Sequence, residues 1–241
     1  NIGFNKGKIK SLGGMQEWVR CVLLCNTIVI DKGCFKCDSP DELCLVSYCA
    51  ELGGKLVAKS GKRVTIAVNG TSEEWVVDKE LAFSSERKRM SVLARQPDTG
   101  RHVVFSKVGV GWWRDGQGAD DMMLARSLKQ GERRGVALEK NFECILACLQ
   151  EYADKGLRTL VMGEKELTEA EYAEAMRAID KAEKVLNNRE EAKAEWCVLG
   201  WIVRSSYESI ETKLVPLGVS GIEDLLQDEV ADTIQVSLHG P

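Results

Sequence analysis

The stretch KLVAKSGKRVTIAVNGTSEEWVVDK, residues 55–79, predicts the architecture of the chain. Ser60-Gly61 and Asn69-Gly70 divide it into three short segments that are typical of strands. An Asn-Gly pair between two strands is a strong signal for a two-residue hairpin turn, because both residues accept the positive φ angles that such a turn requires. The stretch therefore predicts an antiparallel β-meander.

Further segments extend this sheet. MSVLAR (90–95) and RHVVFS (101–106) continue the meander around a turn at residues 98–100. LRTLVMG (157–163) predicts a buried strand, and the segment from residue 213 onward begins with another.

Helices are predicted on both sides of the strand-rich region. Ser39, Pro40 and Glu42 form a capping box with proline at the first helical position, and they open a helix that continues to residue 52. Thr168 and Glu171 form a second capping box. The other predicted helices occupy residues 13–25, 141–156, 170–186 and 189–211, the last two as a helical hairpin. The fold class is therefore α+β, an antiparallel β-sheet flanked by helices.

The composition excludes several classes of function. The chain of 241 residues is 44% apolar, which is enough for a substantial core. Its formal net charge of −4 provides no general attraction for nucleic acid or for an anionic membrane. The sequence has no run of 18 apolar residues, and its start lacks both an initiator Met and a signal-peptide pattern, so we expect a soluble fragment of a longer protein.

Residues that usually build catalytic and metal centres are sparse or scattered. The nine cysteines are irregularly spaced and odd in number, which indicates reduced thiols, and the CxxC of Cys34 and Cys37 lacks a second pair of zinc ligands. His102 and His239 are far apart, which argues against a histidine-based triad. A P-loop is absent, and GVGWWRDG (109–116) fails the GxGxxG spacing. We therefore predict neither a catalytic residue nor a metal site.

One stretch, FSSERKRMSV (83–92), concentrates positive charge behind an aromatic residue. It is compatible with an edge strand protected by Lys and Arg, or with a site for an anion that carries a flat ring. Taken singly, its features have simpler explanations: a Phe beside a strand is usually core material, Glu42 is explained by its cap, and Arg158 by solvation at a strand end.

Six segments taken together resemble a known family. They are SPDELCLV (39–46), FSSERKRMSV (83–92), GADDMM (118–123), KGLRTLV (155–161), LNNREE (186–191) and GVSGIEDLLQDEVADTI (218–234). In this order they resemble the nucleotide-binding domain of type IV P-type ATPases, the lipid flippases. The resemblance spans about residues 18–238, and other P-type ATPases usually lack the RKRMSV string.

This resemblance implies an antiparallel sheet flanked by helices, inserted into the phosphorylation domain of a membrane pump. It also implies roles for four residues: Glu42 contacts the adenine amino group, Phe83 stacks on adenine, Lys107 lines the other side of the pocket, and Arg158 lies near the phosphates. A secondary set of candidates comprises Asp41, Ser85, Arg87, Gln117 and Asp224.

The chain departs from the family pattern at the pocket lysine. The family motif KGAD is replaced either by Lys107 followed by ten residues before Gly118, or by Gln117 in the place of the lysine. We favour Lys107, because it ends the predicted strand RHVVFSK and leaves residues 108–117 as a Gly-rich loop with exposed Trp112 and Trp113. The family's phosphorylated Asp, in the motif DKTGT, is absent.

The resemblance implies a domain that binds ATP and positions it. Residues 1–212 would form the nucleotide-binding domain, and residues 213–241 the hinge and the return into the phosphorylation domain. The implied partners are ATP, Mg²⁺ in the full-length pump, the phosphorylation and actuator domains of the same chain, an accessory membrane subunit and a phospholipid bound elsewhere. We expect the domain at the cytosolic face of a membrane and the fragment to be monomeric. The alternatives are an interaction scaffold that uses the Trp loop, and a self-sufficient hydrolase, for which the sequence offers no nucleophile.

Overall fold

A computed structural model of the chain describes residues 10–11, 14–85, 87–110, 137–187 and 206–223. Its central element is an eight-stranded antiparallel sheet. The strands of this sheet are β1 (Lys10–Ser11), β4 (Gly54–Ser60), β5 (Arg63–Val68), β6 (Thr71–Ser84), β7 (Arg89–Gln96), β8 (Arg101–Val110), β9 (Arg158–Leu167) and β10 (Val215–Ile222). Their order across the sheet is β1-β10-β9-β8-β7-β6-β5-β4. A separate hairpin pairs β2 (Val29–Asp31) with β3 (Cys34–Lys36). The predicted α+β class is confirmed.

Helices cover both faces of the sheet. They are α1 (Met15–Leu24), α2 (Pro40–Cys49), α3 (Ala137–Asp154) and α4 (Glu169–Asn187), and residues 206–210 form a further helical turn. Trp18 of α1 packs in one core with Val92, whereas Ile145 of α3 packs in a second core with the neighbouring Leu93. Because successive side chains of a strand point to opposite faces, β7 contributes to both cores.

The predicted turns and caps are formed. Asn69 and Gly70 have φ angles of 50° and 80° between the paired residues Val68 and Thr71, as a two-residue hairpin requires. At α4 the capping box is complete, since the Thr168 hydroxyl accepts from the Glu171 N–H and the Glu171 carboxylate accepts from the Thr168 N–H.

The capping box at α2 is only half formed. The Ser39 hydroxyl accepts from the Glu42 N–H at 3.4 Å. The Glu42 carboxylate does not return to Ser39 and instead accepts hydrogen bonds from Thr27 and Lys107. A charged donor forms a stronger hydrogen bond than a backbone N–H, which explains why the side chain turns away from the cap.

Two expectations about strands are corrected. The FSSERKRMSV stretch does not lie at a sheet edge, because β7 is hydrogen-bonded to β6 on one side and to β8 on the other. Strand β8 does not end at Lys107 but continues to Val110, so residues 108–110 belong to the strand and not to a loop. Pairing with β9 holds them in place, as in the register Val108↔Val161.

Other expectations fall partly outside the described residues. These include the rest of the Gly-rich loop (111–117), most of the second helix of the helical hairpin (188–205) and the segment after residue 223. The strand predicted after residue 213 is β10, which lies between β1 and β9 in the main sheet. The domain boundary at 212/213 stays a prediction. None of the helices in the described part of the chain has the length and apolar character needed to cross a bilayer.

Candidate functional site

The four principal candidate residues lie toward one end of the sheet. At this end β6 and β8 finish, at Ser84 and Val110, while β9 begins at Arg158. Antiparallel pairing brings these termini together although more than 70 residues separate the first from the last. The start of α2 reaches the same region through Glu42.

Phe83 projects from an irregularity at the end of β6. The register passes from Leu81↔Ser91 to Ser84↔Arg89, so that Ala82 and Phe83 together face a single residue of β7. Such a bulge redirects the side chains of the strand that contains it. Phe83 is 59% exposed, and the alternative in which it belongs to the core is therefore wrong.

Lys107 lies close to the level of Phe83, two strands away. It pairs with Met90 of β7, the residue opposite the bulge. With two interstrand spacings between them, the backbones at Phe83 and Lys107 are about 10 Å apart. The Lys107 side chain is only 7% exposed, and its Nζ lies 2.6 Å from Glu42 Oε1.

Glu42 accepts several hydrogen bonds at once. Its Oε2 accepts from the Thr27 N–H at 2.8 Å and the Thr27 hydroxyl at 2.7 Å, and the Cys37 thiol lies 3.5 Å away. Burial by itself raises the pKa of the Glu42 carboxyl, but the charge of Lys107 and the hydrogen bonds from Lys107 and Thr27 outweigh it. The pKa therefore lies below its ordinary value, and Glu42 is a carboxylate at neutral pH.

Lys107 keeps its charge although it is buried. Burial lowers the pKa of Lys107, but the charge and the hydrogen bond of the Glu42 carboxylate outweigh burial and raise the pKa above its ordinary value. Cys25 is itself neutral at pH 7, because burial raises the pKa of its thiol to about 12. At neutral pH the pair is therefore an ammonium held against a carboxylate.

A second ion pair lies beside the first. Arg158 Nη1 is 3.1 Å from Asp41 Oδ2, and Asp41 precedes Glu42 in α2. Arg158 is four residues along β9 from Met162, the partner of Lys107, which corresponds to about 13 Å at the rise of a strand. The Arg158 side chain is 48% exposed, so its guanidinium is accessible to a ligand.

Two of the three cations in the RKR string point into the protein. Arg87 and Arg89 are buried and both contact the carboxylate of Glu211, whereas Lys88 is exposed. Arg87 also lies over the ring of Tyr207, 5.1 Å from its centre. The two buried guanidiniums therefore share one negative charge, and Lys88 is the cation of the string that faces solvent.

The remaining candidates are distributed differently. Ser85 is exposed next to the bulge, while Gln117 and Asp224 lie outside the described residues. Sequence reasoning missed Glu211, which is separated from Arg87 by 124 residues. Arg87 lies in the turn before β7 and Arg89 is the first residue of that strand, so the alternation of a strand gave no signal of a shared carboxylate partner. Within the described residues, His, Cys, Asp and Glu side chains form no group of three or more that could hold a metal ion.

Comparison with known proteins identifies a family. A sequence model described as P-type ATPase, cytoplasmic domain N, matches residues 14–229. Phospholipid-transporting ATPase DNF1 of Chaetomium thermophilum is 35% identical over 91% of this chain and 13% of its own length. Phospholipid-transporting ATPase VD of Homo sapiens is 33% identical over 99% of this chain and 15% of its own length. Phospholipid-transporting ATPase DRS2 of Saccharomyces cerevisiae is 31% identical over 91% and 15%. The chain thus spans about one seventh of these relatives.

Proposed function

The chain belongs to the family of P-type ATPase cytoplasmic N domains, and from this premise we propose that it is the ATP-binding domain of a phospholipid-transporting pump. The observation that carries the proposal is the exposed ring of Phe83 at the same level of the sheet as the Lys107–Glu42 ion pair, two strands away. A flat apolar surface next to a cation and a carboxylate suits a purine nucleotide, whose base stacks while its phosphates are anionic.

Each residue has a part in binding that its surroundings support. Adenine stacks on Phe83, and the methylenes of Lys107 lie along the base. Each oxygen of a carboxylate offers two lone pairs. Oε2 of Glu42 accepts from the Thr27 N–H, the Thr27 hydroxyl and, at 3.5 Å, the Cys37 thiol, whereas Oε1 accepts from Lys107. The second lone pair of Oε1 is the acceptor that we assign to the adenine amino group.

Arg158 is suited to the phosphate end of the nucleotide. The two side chains of its ion pair with Asp41 are 48% and 27% exposed, and ion pairs open to solvent contribute little stability. Exchange of the Asp41 contact for a polyphosphate therefore costs little and provides the stronger bidentate partner. Asp41 remains a secondary candidate for the site, because we propose that Arg158 exchanges its contact with Asp41 for one with the phosphates.

The contribution of this domain to the pump is positioning. It holds ATP at the adenine end and presents the γ-phosphate to an Asp on the phosphorylation domain, which lowers the entropic part of the barrier. We assign no catalytic residue to this chain. The described residues bring together no acidic cluster for Mg²⁺, and we assign that ion to the full-length pump. The proposal places the domain at the cytosolic face of the membrane, with the phosphorylation and actuator domains as partners and the phospholipid bound elsewhere.

A titration followed by backbone NMR tests the proposal. We expect ATP to shift the amides around Phe83 and Lys107 with a dissociation constant of about 0.1 to several mM, because one stacked base and few phosphate contacts provide roughly −3 to −5.5 kcal/mol. GTP, which lacks the adenine amino group, should bind more weakly. Equal shifts with ATP and GTP, or none with either, would contradict adenine recognition, and the latter would favour the interaction scaffold.

A further inference from the structure

We infer that Glu211 is a positioning residue for the nucleotide site, acting through Arg87 and Arg89 to hold the bulge that presents Phe83. The inference rests on the proposed function, in which Phe83 is the surface for the base. It adds a residue that lies on a different segment of the chain and would not itself touch the nucleotide.

Glu211 is completely buried at the centre of a hydrogen-bonded cluster. Its carboxylate accepts from Arg87 Nη1 at 2.7 Å, from Arg89 Nε at 2.5 Å and from the Ser91 hydroxyl at 2.6 Å. The cluster thus joins the end of the 206–210 turn to the start of β7. Every strong contact of the carboxylate is directed toward the strand beside the bulge.

Arg87 transmits this contact to the backbone of β6. Its Nη2 donates to the carbonyl oxygen of Ala82, and a longer contact of 3.4 Å reaches the carbonyl oxygen of Leu81. A bulge interrupts the ladder of backbone hydrogen bonds, so that carbonyls within it need other partners. Ala82 directly precedes Phe83, and the guanidinium therefore holds the peptide that determines the direction of the Phe83 side chain.

The same loop is closed by local hydrogen bonds that leave Arg87 little freedom. The Arg87 N–H donates to the Ser84 hydroxyl at 3.2 Å, and the Lys88 N–H donates to the Ser84 carbonyl at 2.7 Å. A planar guanidinium can reach Glu211 and the β6 carbonyls at the same time because its donors form a rigid fork. A lysine at this position would keep the charge but could not make both sets of contacts in this geometry.

Buried charge makes the carboxylate essential to this arrangement. Within the described residues, Glu211 is the carboxylate that both guanidiniums contact, and Arg89 Nη2 has no hydrogen-bond partner. Two buried cations thus depend on one anion, and removal of that anion leaves both uncompensated. We expect the segment around Arg87 to rearrange in response, which would release Ala82 and Phe83.

A double-mutant cycle tests the inference on the complete chain. Arg87→Lys should weaken ATP binding roughly three- to tenfold, within the range of coupling energies between neighbouring residues. In a Phe83→Ala background the same change should have no further effect, because the platform that Arg87 holds is already missing. Glu211→Gln should weaken binding as Arg87→Lys does, if that variant folds. Glu73→Gln is the matched control, since Glu73 is a buried carboxylate bound to Arg20 and Trp75 near the other end of β6 and should leave ATP affinity unchanged.

Hydrogen exchange provides a measurement that does not depend on nucleotide. Without ATP, amides in a peptide covering residues 78–85 should exchange faster in Arg87→Lys than in the unmodified chain or in Glu73→Gln.

If Arg87→Lys still weakens ATP binding in the Phe83→Ala background, Arg87 contacts the ligand directly and the inference is overturned. It is also overturned if exchange in this peptide is unchanged. If Phe83→Ala does not affect ATP binding, the proposed function fails as well, whereas a silent Arg87→Lys beside a harmful Phe83→Ala overturns the inference alone.

Discussion

The Phe83 side chain is exposed to solvent, whereas the inward-facing side chains of the neighbouring strands are buried. Exposure of a single apolar side chain is ordinary. The position of Phe83 is informative for three reasons. Phe83 lies in a bulge, the Lys107–Glu42 pair lies two strands away, and the guanidinium of Arg87 donates to the carbonyl oxygen of the preceding residue. At the scale of single residues, the site is a small apolar surface next to two ion pairs.

Phe83→Ala should reduce ATP affinity without unfolding the domain. Loss of a stacked base costs ~1–3 kcal/mol, or roughly ten- to a hundredfold in the dissociation constant. The exposed ring contributes little to the core, so the free energy of unfolding should change by less than about 1 kcal/mol. Calorimetry and urea denaturation on the same preparation measure both quantities. Val57→Ala, an exposed apolar residue on the edge strand β4, is the control that should alter neither.

Lys107→Ala separates the two alignments of the pocket lysine. If Lys107 is the ligand, the variant should weaken ATP binding about tenfold, as expected for a charge-assisted hydrogen bond, and should flatten the salt dependence of binding. Gln117→Ala should then have little effect. The reverse pattern in the same salt series would mean that residue 117 occupies the family's lysine position.

Glu42 should contribute to the acid sensitivity of the fold. The pKa of its carboxyl is lower in the folded chain than its ordinary value of 4.5, so its stabilising contribution is present above pH 4.5 and is lost as pH falls through the folded value. Lys107, whose pKa is raised above 10.5, behaves oppositely and loses its contribution as pH rises through the folded value. Urea denaturation between about pH 3 and pH 7 should give a shallower acid slope for Glu42→Gln than for the unmodified chain. An identical slope would mean that the pair is not formed in solution.

Strands β6 and β8 position Phe83 and Lys107, the first through a bulge and the second through its length. The bulge in β6 turns Phe83 outward, and the extension of β8 to Val110 keeps Lys107 inside a strand instead of at its end. A lysine within a strand has its backbone fixed on both sides, by pairing with Met90 and Met162. Strand β8 therefore fixes the Cα position of Lys107, and Glu42 of α2 fixes the position of its ammonium group.

Deletion of residues 108–117 tests the role of the β8 extension. The deletion joins Lys107 to Gly118 and recreates the family order SKGAD without changing Phe83, Lys107 or Glu42, so ATP affinity should stay within about twofold, inside the usual error of additivity. Stability should fall by about 1–3 kcal/mol, because glycine would replace the buried Val108. Deletion of residues 111–117 preserves Val108 and should cost less. A loss of ATP binding in both variants would show that the inserted residues belong to the site.

The described part of the chain forms a sheet with two cores, one on each face. The core that contains α1 and α2 supports Lys107 and Glu42, whereas the core that contains α3 and α4 lies on the same side as Arg89 and Ser91 of β7. Residues from both sides reach the same end of the sheet. A ligand that contacts Phe83, Lys107 and Arg158 would therefore stabilise the folded chain as a unit.

ATP should raise the stability of the whole chain by mass action. With a dissociation constant of about 1 mM, ATP at about 10 mM adds roughly 1.4 kcal/mol to the free energy of unfolding. Differential scanning fluorimetry should report a higher melting temperature with ATP than with an equal concentration of GTP, at matched ionic strength. We expect no release of phosphate, because the proposed role of the chain is to position ATP and not to catalyse its hydrolysis. Steady release by pure protein would contradict a purely positioning role.

Elements with local signals can be recognised from the sequence. Asn69-Gly70 specified a hairpin, Thr168 and Glu171 specified the start of α4, and six short motifs together indicated the family. These features depend on backbone φ angles, on hydrogen bonds between residues three apart, or on the residues themselves, so they can be recognised without the fold.

Tertiary structure alone decided which charges are free and which are compensated. Arg87 and Arg89 resembled an exposed basic patch in the sequence, yet both are buried against the one carboxylate of Glu211, more than 120 residues away. Glu42 was explained by its cap, yet its side chain lies against Lys107. The free energy of a charged side chain depends on its burial and on its ion-pair partner. Neither can be read from the residues adjacent in sequence, because strand pairing and packing bring distant segments together only when the whole sheet forms.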